Sequence, residues 1–159
     1  MPKLEIEHKF LIKMPDENML RNLEKVRVLK ISQTYTSEGS RARKIEEQGK
    51  VTYIKTVKKH ITDLVRLESE EEVSLGEYNR LLSLKEGNTI EKTRYVYPYH
   101  GKNIEIDIFP FWKSQAFLEV ELRDEKDTFE LPPFIKVIRE ITNEKAYRNY
   151  ALSKKIPLE

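Results

Sequence analysis

A repeating alternation of charged and apolar residues constrains this fold more than any other feature of the sequence. In residues 3–10 (Lys-Leu-Glu-Ile-Glu-His-Lys-Phe), a strand would place Glu5, Glu7 and Lys9 on one face. Leu4, Ile6, His8 and Phe10 would share the other face. The same two-residue period returns along most of the chain, so the sequence predicts a mainly β protein whose sheet has one charged face.

Eight strands, mostly antiparallel, are predicted from this period and from the turn signals between segments. They cover residues 3–13, 28–36, 40–45, 51–57, 64–73, 89–99, 103–109 and 116–123. Helices are predicted from Asp16 to about Lys25, over 75–85 and over 142–154. Such a sheet could close into a barrel with a ligand-sized interior or stay open with helices on one face. Alternation alone leaves both architectures open.

The charges on the polar face are sorted by strand, which an ordinary wet sheet does not require. One charged and one apolar face is the usual pattern of a half-exposed sheet, and any single strand fits that explanation. Like charges on neighbouring strands destabilise a sheet, however, and crowded carboxylates raise one another's pKa unless a cation lies among them. The acidic strands are the first (Glu5, Glu7), the fifth (Glu68, Glu70, Glu72), the seventh (Glu105, Asp107) and the eighth (Glu119, Glu121). The basic strands are the third (Arg41, Arg43), the fourth (Lys55) and the sixth (Lys92, Arg94).

Rows of carboxylates opposite rows of cations suit a complex of metal and polyphosphate. Mg²⁺ and Mn²⁺ prefer oxygen ligands, and Mg²⁺ often binds through one or two carboxylates together with substrate phosphates. Arginine and lysine bind phosphate oxygens. The sequence has no P-loop, so side chains would have to supply the phosphate contacts.

Length and composition exclude several other classes. The chain of 159 residues suits a single domain over 1–159, and its net charge of +2 gives no overall attraction to nucleic acid or an anionic membrane. There is no cysteine, so disulfides and thiolate sites are excluded. No long apolar run or signal peptide is visible, so we expect a cytoplasmic protein with no membrane partner. No sequence feature demands a homodimer, and that state is left open.

Seven charged motifs, in order along the chain, resemble those of the CYTH domain proteins, or triphosphate tunnel metalloenzymes. The family's N-terminal Glu-x-Glu-x-Lys is matched by Glu5-Ile6-Glu7-His8-Lys9. The later matches are Arg41-Ala42-Arg43, Lys55, the run from Arg66 to Glu72, Lys92-Thr93-Arg94, Glu105-Ile106-Asp107 and Glu119-Val120-Glu121. Glu140-Ile141-Thr142 and Tyr147-Arg148-Asn149 are similar to the family's terminal segment.

The resemblance implies a closed eight-stranded antiparallel barrel, a tunnel with charges inside and a few peripheral helices. It implies that Mg²⁺ or Mn²⁺ is held by Glu5, Glu7, Glu119 and Glu121. Glu105 and Asp107 would lie around these metal ligands or bind a further ion. It implies that the triphosphate is bound by Lys9, Arg41, Arg43, Lys55, Arg66, Lys92 and Arg94. Glu5, Glu7, Lys9, Glu119 and Glu121 would form the catalytic set. Glu70 and Glu72 would bind a second metal, orient water or pair with cations, and Glu68 is expected to pair.

The first functional hypothesis is hydrolysis of inorganic tripolyphosphate to diphosphate and phosphate. The same motifs fit a nucleoside or thiamine triphosphatase and a class IV adenylyl cyclase, so they do not separate these activities. A polyphosphate-binding module without turnover and a plain scaffold with a wet sheet are the non-enzymatic alternatives. The full acidic set argues against the binding module, because a phosphate binder gains little from so many carboxylates.

Overall fold

The computed structural model describes residues 2–62 and 64–159 and consists mainly of strands. The strands are β1 (Pro2–Lys13), β2 (Arg27–Thr36), β3 (Arg41–Glu47), β4 (Lys50–His60), β5 (Val65–Val73), β6 (Lys85–Tyr99), β7 (Lys102–Ile108), β8 (Gln115–Glu121) and β9 (Val137–Glu140). The helices are α1 (Glu17–Arg21), α2 (Leu75–Ser83) and α3 (Asn149–Leu152), with a 3₁₀ turn at Lys145–Tyr147. No helix within these described residues is long and apolar enough to span a membrane.

Strands β1 to β8 close into an antiparallel barrel, which confirms the predicted fold. The order around the sheet is β5-β4-β3-β2-β6-β7-β8-β1, and β5 pairs with β1 to complete the circle. Residues 2–6 of β1 pair with β5, whereas residues 10–12 of the same edge pair with the short strand β9. The sequence analysis did not predict β9, which is a ninth strand on the outside of the closure.

The main hydrophobic core lies outside the barrel wall, so the charged faces are left to the interior. Ile6, Ile104, Ile106, Leu118 and Val120 are all buried and belong to one cluster. Residues of α1 and the irregular segment 129–135 pack against that cluster. This arrangement follows from the two-residue period, because every residue between two apolar positions on these strands must point into the tunnel.

Helix α2 covers a second part of the outer wall. The Ser74 side chain caps the helix by accepting a hydrogen bond of 3.1 Å from the backbone N–H of Glu77. Tyr78 and Leu81 of the helix are buried against Ala42 of β3. The helix therefore fixes the outer face of β3 and leaves the neighbouring residues of that strand facing inward.

The predicted helix over residues 142–154 is interrupted. The 3₁₀ turn ends at Tyr147, Arg148 is extended (φ −70°, ψ 144°) and α3 begins at Asn149. The ammonium of Lys9 donates a hydrogen bond of 2.8 Å to the Tyr147 carbonyl, which a continuous helix would have used internally. Residues 145–153, called the terminal segment below, pack through Tyr147 and Leu152 against the cluster that contains Trp112.

Candidate active site

The barrel encloses a cavity of about 630 Å³ lined mainly by charged side chains. Eleven of the predicted site residues line it: Glu5, Glu7, Lys9, Arg41, Arg43, Arg66, Glu70, Arg94, Glu105, Glu119 and Glu121. They come from six different strands, so only closure of the barrel brings them together. Lys92 and Asp107 are buried in the wall beside the cavity, and Glu72 is exposed near the end of β5.

The prediction that Lys55 faces the tunnel is wrong. Lys55 lies opposite Ala42 of β3 and Glu71 of β5, which places it on the outer face with α2. The inward positions of β4 are Thr56 and Lys58, and both line the cavity. The Lys58 ammonium lies 3.1 Å from the Glu5 carboxylate and 3.7 Å from that of Glu68. Lys58 therefore supplies the cation that the sequence analysis assigned to Lys55, and Glu68 is paired as expected.

Carboxylates on β1, β5 and β8 are packed closely enough to share protons. Glu7 is hydrogen-bonded to Glu119, and burial together with the Glu119 and Glu5 charges raises the pKa of Glu7 well above its ordinary value. Burial and a hydrogen bond with Glu68 likewise raise the pKa of Glu5. Burial alone would also raise the pKa of Glu119, but the Lys9 and Arg94 charges lower it to about 2. In the Glu7–Glu119 pair the proton therefore resides on Glu7.

Asp107 is the counter-ion of two buried cations. Its carboxylate accepts hydrogen bonds of 2.8 Å from Lys92 Nζ and of 2.8 and 2.9 Å from Arg94 Nε and Nη2. Burial would raise the pKa of Asp107, but the charges of Arg94 and Lys92 outweigh it and hold that pKa far below its ordinary value. Arg94 also lies 3.5 Å from Glu105. These contacts explain why Asp107, predicted as a metal ligand, is not part of the carboxylate cluster in the cavity.

Lys9 joins the carboxylates to the part of the chain that follows β9. Its ammonium lies 3.7 Å from Glu119 and 4.0 Å from the centre of the Phe117 ring. Burial lowers the pKa of Lys9, although the charges of Glu119 and Glu7 partly oppose the shift. Its backbone N–H donates to the Thr142 hydroxyl at 2.9 Å. Strand β1 therefore holds the segment that follows β9 against the site.

Two buried arginines on β3 have no ion-pair partner in the described part of the chain. Arg41 and Arg43 are 5% and 9% exposed, and Arg41 Nε makes no hydrogen bond. Burial, with the nearby Arg41 and Arg94 charges, lowers the pKa of Arg43 to about 9. Burying two cations side by side is costly unless an anion balances them. The pair therefore forms the part of the tunnel best suited to bind a polyanion.

The oxygen donors fit a hard divalent cation, although they do not form a ready cage. Burial, reinforced by neighbouring carboxylates, raises the pKa of Glu5 and of Glu7, and a bound cation would stabilise their charged forms. One Glu68 carboxylate oxygen is buried without a hydrogen bond. In residues 2–62 and 64–159, no three acidic or histidine side chains converge as a preformed metal site. Phosphate oxygens of a ligand would have to complete the coordination.

A closed barrel with carboxylates on one wall and unpaired arginines on another defines a tunnel for a polyanion, and related proteins agree with that class. An inorganic triphosphatase of Nitrosomonas europaea is 32% identical over 160 residues, covering 96% of this chain and 99% of the relative. An inorganic triphosphatase of Acetivibrio thermocellus is 38% identical over 102 residues, covering 62% of this chain and 64% of the relative. A solved structure of an inorganic triphosphatase is 27% identical, with a TM-score of 0.59 and 97% of both chains covered.

These likenesses and the tunnel geometry identify the family. The chain belongs to the CYTH proteins, the triphosphate tunnel metalloenzymes. No family model matches the chain, so the assignment depends on the relatives and on the fold.

Several residues in or beside the cavity were not predicted from the sequence. Gln33, which contacts Arg43, is neutral and gives no charge pattern. Arg148 and Asn149 line the cavity from the terminal segment, far from the strands in sequence. The similarity of Tyr147-Arg148-Asn149 to the family's terminal segment was the one available signal, and it carried no role for these residues.

Proposed function

We propose that this protein is an inorganic triphosphatase that hydrolyses tripolyphosphate to diphosphate and phosphate with the help of Mg²⁺ or Mn²⁺. The observation that carries the proposal is the division of the cavity. Proton-sharing carboxylates, Glu7 with Glu119 and Glu5 with Glu68, lie on one side. The unpaired guanidiniums of Arg41 and Arg43 lie on another. A chain of phosphates can contact both groups at once.

The chain's own residues bind, orient and screen the substrate. Arg41 and Arg43 bind phosphate oxygens without first giving up a carboxylate partner, whereas Lys58 and Arg66 must loosen ion pairs to do so. Glu5, Glu7, Glu119 and Glu121 would hold the metal ion, which would neutralise phosphate charge and act as a Lewis acid. Glu119 stays ionised at neutral pH and can orient a water molecule by accepting its hydrogen bond.

Water then attacks the terminal phosphorus in line, its oxygen forms the new P–O bond, and the bond to the bridging oxygen breaks. Diphosphate leaves with the bonding electrons. The proton of the attacking water passes to a cavity carboxylate or to a phosphate oxygen. Positioning and electrostatic stabilisation supply most of the rate enhancement in such a reaction. Removing one inward arginine should cost about 3–4 kcal/mol of transition-state stabilisation, like the loss of an oxyanion-hole donor.

The test is phosphate release from tripolyphosphate with Mg²⁺, with Mn²⁺ and with a chelator. Glu7→Gln should lose at least a hundredfold in activity, because it removes a carboxylate from the cluster. Glu71→Gln is the matched control, since Glu71 lies opposite Lys55 on the outer face of the same barrel. Tripolyphosphate binding without metal-dependent turnover in the wild-type protein would identify a binding module and refute the proposal.

One observation favours a second candidate, an enzyme acting on an organic triphosphate. Leu29, Ile31 and Ile45 line the cavity and form an apolar cluster with Val96. An apolar wall beside a phosphate site can contact a base or another organic group. Nucleotide or thiamine triphosphates hydrolysed faster than tripolyphosphate, or cyclic AMP formed from ATP, would support this candidate. An Ile45→Ser change should then impair the organic substrate and spare tripolyphosphate.

A further inference from the structure

A buried neutral side chain lies between the phosphate-binding wall and the terminal segment. Gln33 of β2 is fully buried and faces inward opposite Arg43. Arg43 Nε donates a hydrogen bond of 3.1 Å to Gln33 Oε1. Gln33 Nε2 in turn donates one of 3.0 Å to Asn149 Oδ1, at the start of α3. Gln33 thus connects a tunnel arginine to the last helix.

The donors and acceptors fix the direction of this chain of contacts. Arg43 Nε can only donate, so the oxygen of Gln33 must face it. The Gln33 amide nitrogen then points to Asn149, which must present its own oxygen. Both amides are therefore held in one orientation, and the Nη atoms of Arg43 remain available to a ligand.

Arg43 differs from most other cations of the site because the side chain that orients it, Gln33, is neutral. Lys9, Lys58, Arg66, Lys92 and Arg94 each lie within 4 Å of a carboxylate. A carboxylate at position 33 would hold Arg43 equally well, but it would cancel the positive charge and compete with phosphate. A neutral acceptor orients the guanidinium and leaves its charge for the substrate.

The terminal segment is held at the barrel by two further contacts. The Tyr147 carbonyl accepts from Lys9 at 2.8 Å, and the Ser153 carbonyl accepts from the Asn88 backbone N–H at 2.8 Å. Its position is therefore fixed from both ends, with Asn149 between them lining the cavity. Asn149 is therefore held in place, and it can orient Gln33 through their hydrogen bond.

We propose that Gln33 and Asn149 are positioning residues that fix Arg43 for the phosphate chain and couple the terminal segment to substrate binding. The proposal rests on the proposed function in one respect, namely that tripolyphosphate is the ligand. It predicts that Gln33 acts only through Arg43.

Calorimetric titration with tripolyphosphate in the presence of a chelator tests this, because it measures binding without turnover. Gln33→Met should raise Kd about tenfold and Gln33→Glu more, since the carboxylate would also neutralise Arg43. Asn149→Ala should raise Kd at least threefold. Lys154→Ala is the control: it removes an exposed contact with Glu86 at the end of the same segment and should change Kd less than twofold.

A double-mutant cycle separates positioning from general loosening of the fold. In an Arg43→Ala background, Gln33→Met should change Kd less than twofold, because the residue through which it acts is gone. A tenfold effect that persists in that background would overturn the proposal, as would wild-type binding by folded Gln33→Met and Asn149→Ala. If the wild-type protein binds but does not hydrolyse tripolyphosphate, the proposed function fails and the positioning role is judged from the binding data. Absence of wild-type binding in the chelator overturns the positioning proposal, and metal-dependent phosphate release then decides the proposed function separately.

Discussion

Replacing Asp107 with asparagine should destabilise the protein strongly, because it removes the counter-ion of two buried cations. The Lys92 and Asp107 side chains are 0% and 1% exposed, and the carboxylate accepts three hydrogen bonds of 2.8–2.9 Å. Breaking a buried ion pair by removing one partner costs about 3–5 kcal/mol. Burial already lowers the pKa of Lys92, so Lys92 can lose its proton in the variant and relieve part of its repulsion with Arg94. The cost of the substitution should therefore lie at the lower end of that range.

Thermal unfolding followed by circular dichroism measures this effect. For a chain of this size, each kcal/mol lowers Tm by roughly 2–4 °C, so a decrease of about 6–12 °C is expected for the lower end of the range. Glu77→Gln is the control, because it makes the same chemical change in an exposed helical pair with Arg80. Solvent screens that exposed pair, so losing it should hardly change Tm. If Asp107→Asn and Glu77→Gln unfold within 1 °C of each other, the reasoning is refuted.

The stability difference between wild type and Asp107→Asn depends on pH in a way that follows from the direction of the Asp107 pKa shift. Folding lowers the pKa of Asp107, so its stabilisation is complete above the unfolded value of about 3.9. The stabilisation is lost as the pH falls from there through the folded value. The difference in unfolding free energy between wild type and Asp107→Asn should therefore decrease as the pH falls below about 4, because Asp107 of the wild type becomes protonated there.

Three further outcomes are expected. In a phosphate-release assay, Lys58→Ala should lower kcat/KM for tripolyphosphate at least tenfold, whereas Lys55→Ala should change it less than twofold. A larger effect of Lys55→Ala would contradict the assignment of inward positions on β4. Glu7→Gln, without metal at pH 8, should raise Tm in a thermal unfolding experiment. Folding raises the pKa of Glu7, so the wild type loses stability as the pH rises through the folded value, and a lower Tm for the variant would contradict this. Gly87→Ala should lower the free energy of unfolding in urea by about 1–3 kcal/mol, because Gly87 has φ +77° and a Cβ would lie 2.8 Å from the Ser153 carbonyl oxygen. Unchanged stability of the variant would contradict this expectation.

The two-residue period predicted a mainly β protein with one charged face, and the resemblance of its charged motifs to the CYTH proteins predicted the closed barrel and most of its lining. On β1, β7 and β8, charged and apolar residues alternate over residues 4–7, 104–108 and 118–121, so the inward face follows once one position is assigned. β4 lacks that signal: Lys55, Lys58 and Lys59 lie on both faces, and the inward Thr56 is uncharged. Only the register with β3 and β5 decides which lysine enters the tunnel.

The contacts of the terminal segment could not be predicted for a different reason. They join residues more than 100 positions apart, such as Lys9 with Tyr147 and Gln33 with Asn149. A helical period describes one segment alone and does not show that a distant ammonium will take one of its carbonyls. The break at Arg148 therefore arises from tertiary contacts, and local propensity favoured a continuous helix.

The order in which the strands leave the ribosome has a consequence for when this site can form. Strand β1, which carries Glu5, Glu7 and Lys9, pairs with β5, β8 and β9 and has no early hairpin partner. During synthesis it must wait for more than a hundred further residues before its β8 edge is satisfied. Contacts of such long range slow folding and leave a strand edge exposed meanwhile. The growing chain therefore carries residues 7–13 of β1 without their β8 partner until residues 115–121 have been made.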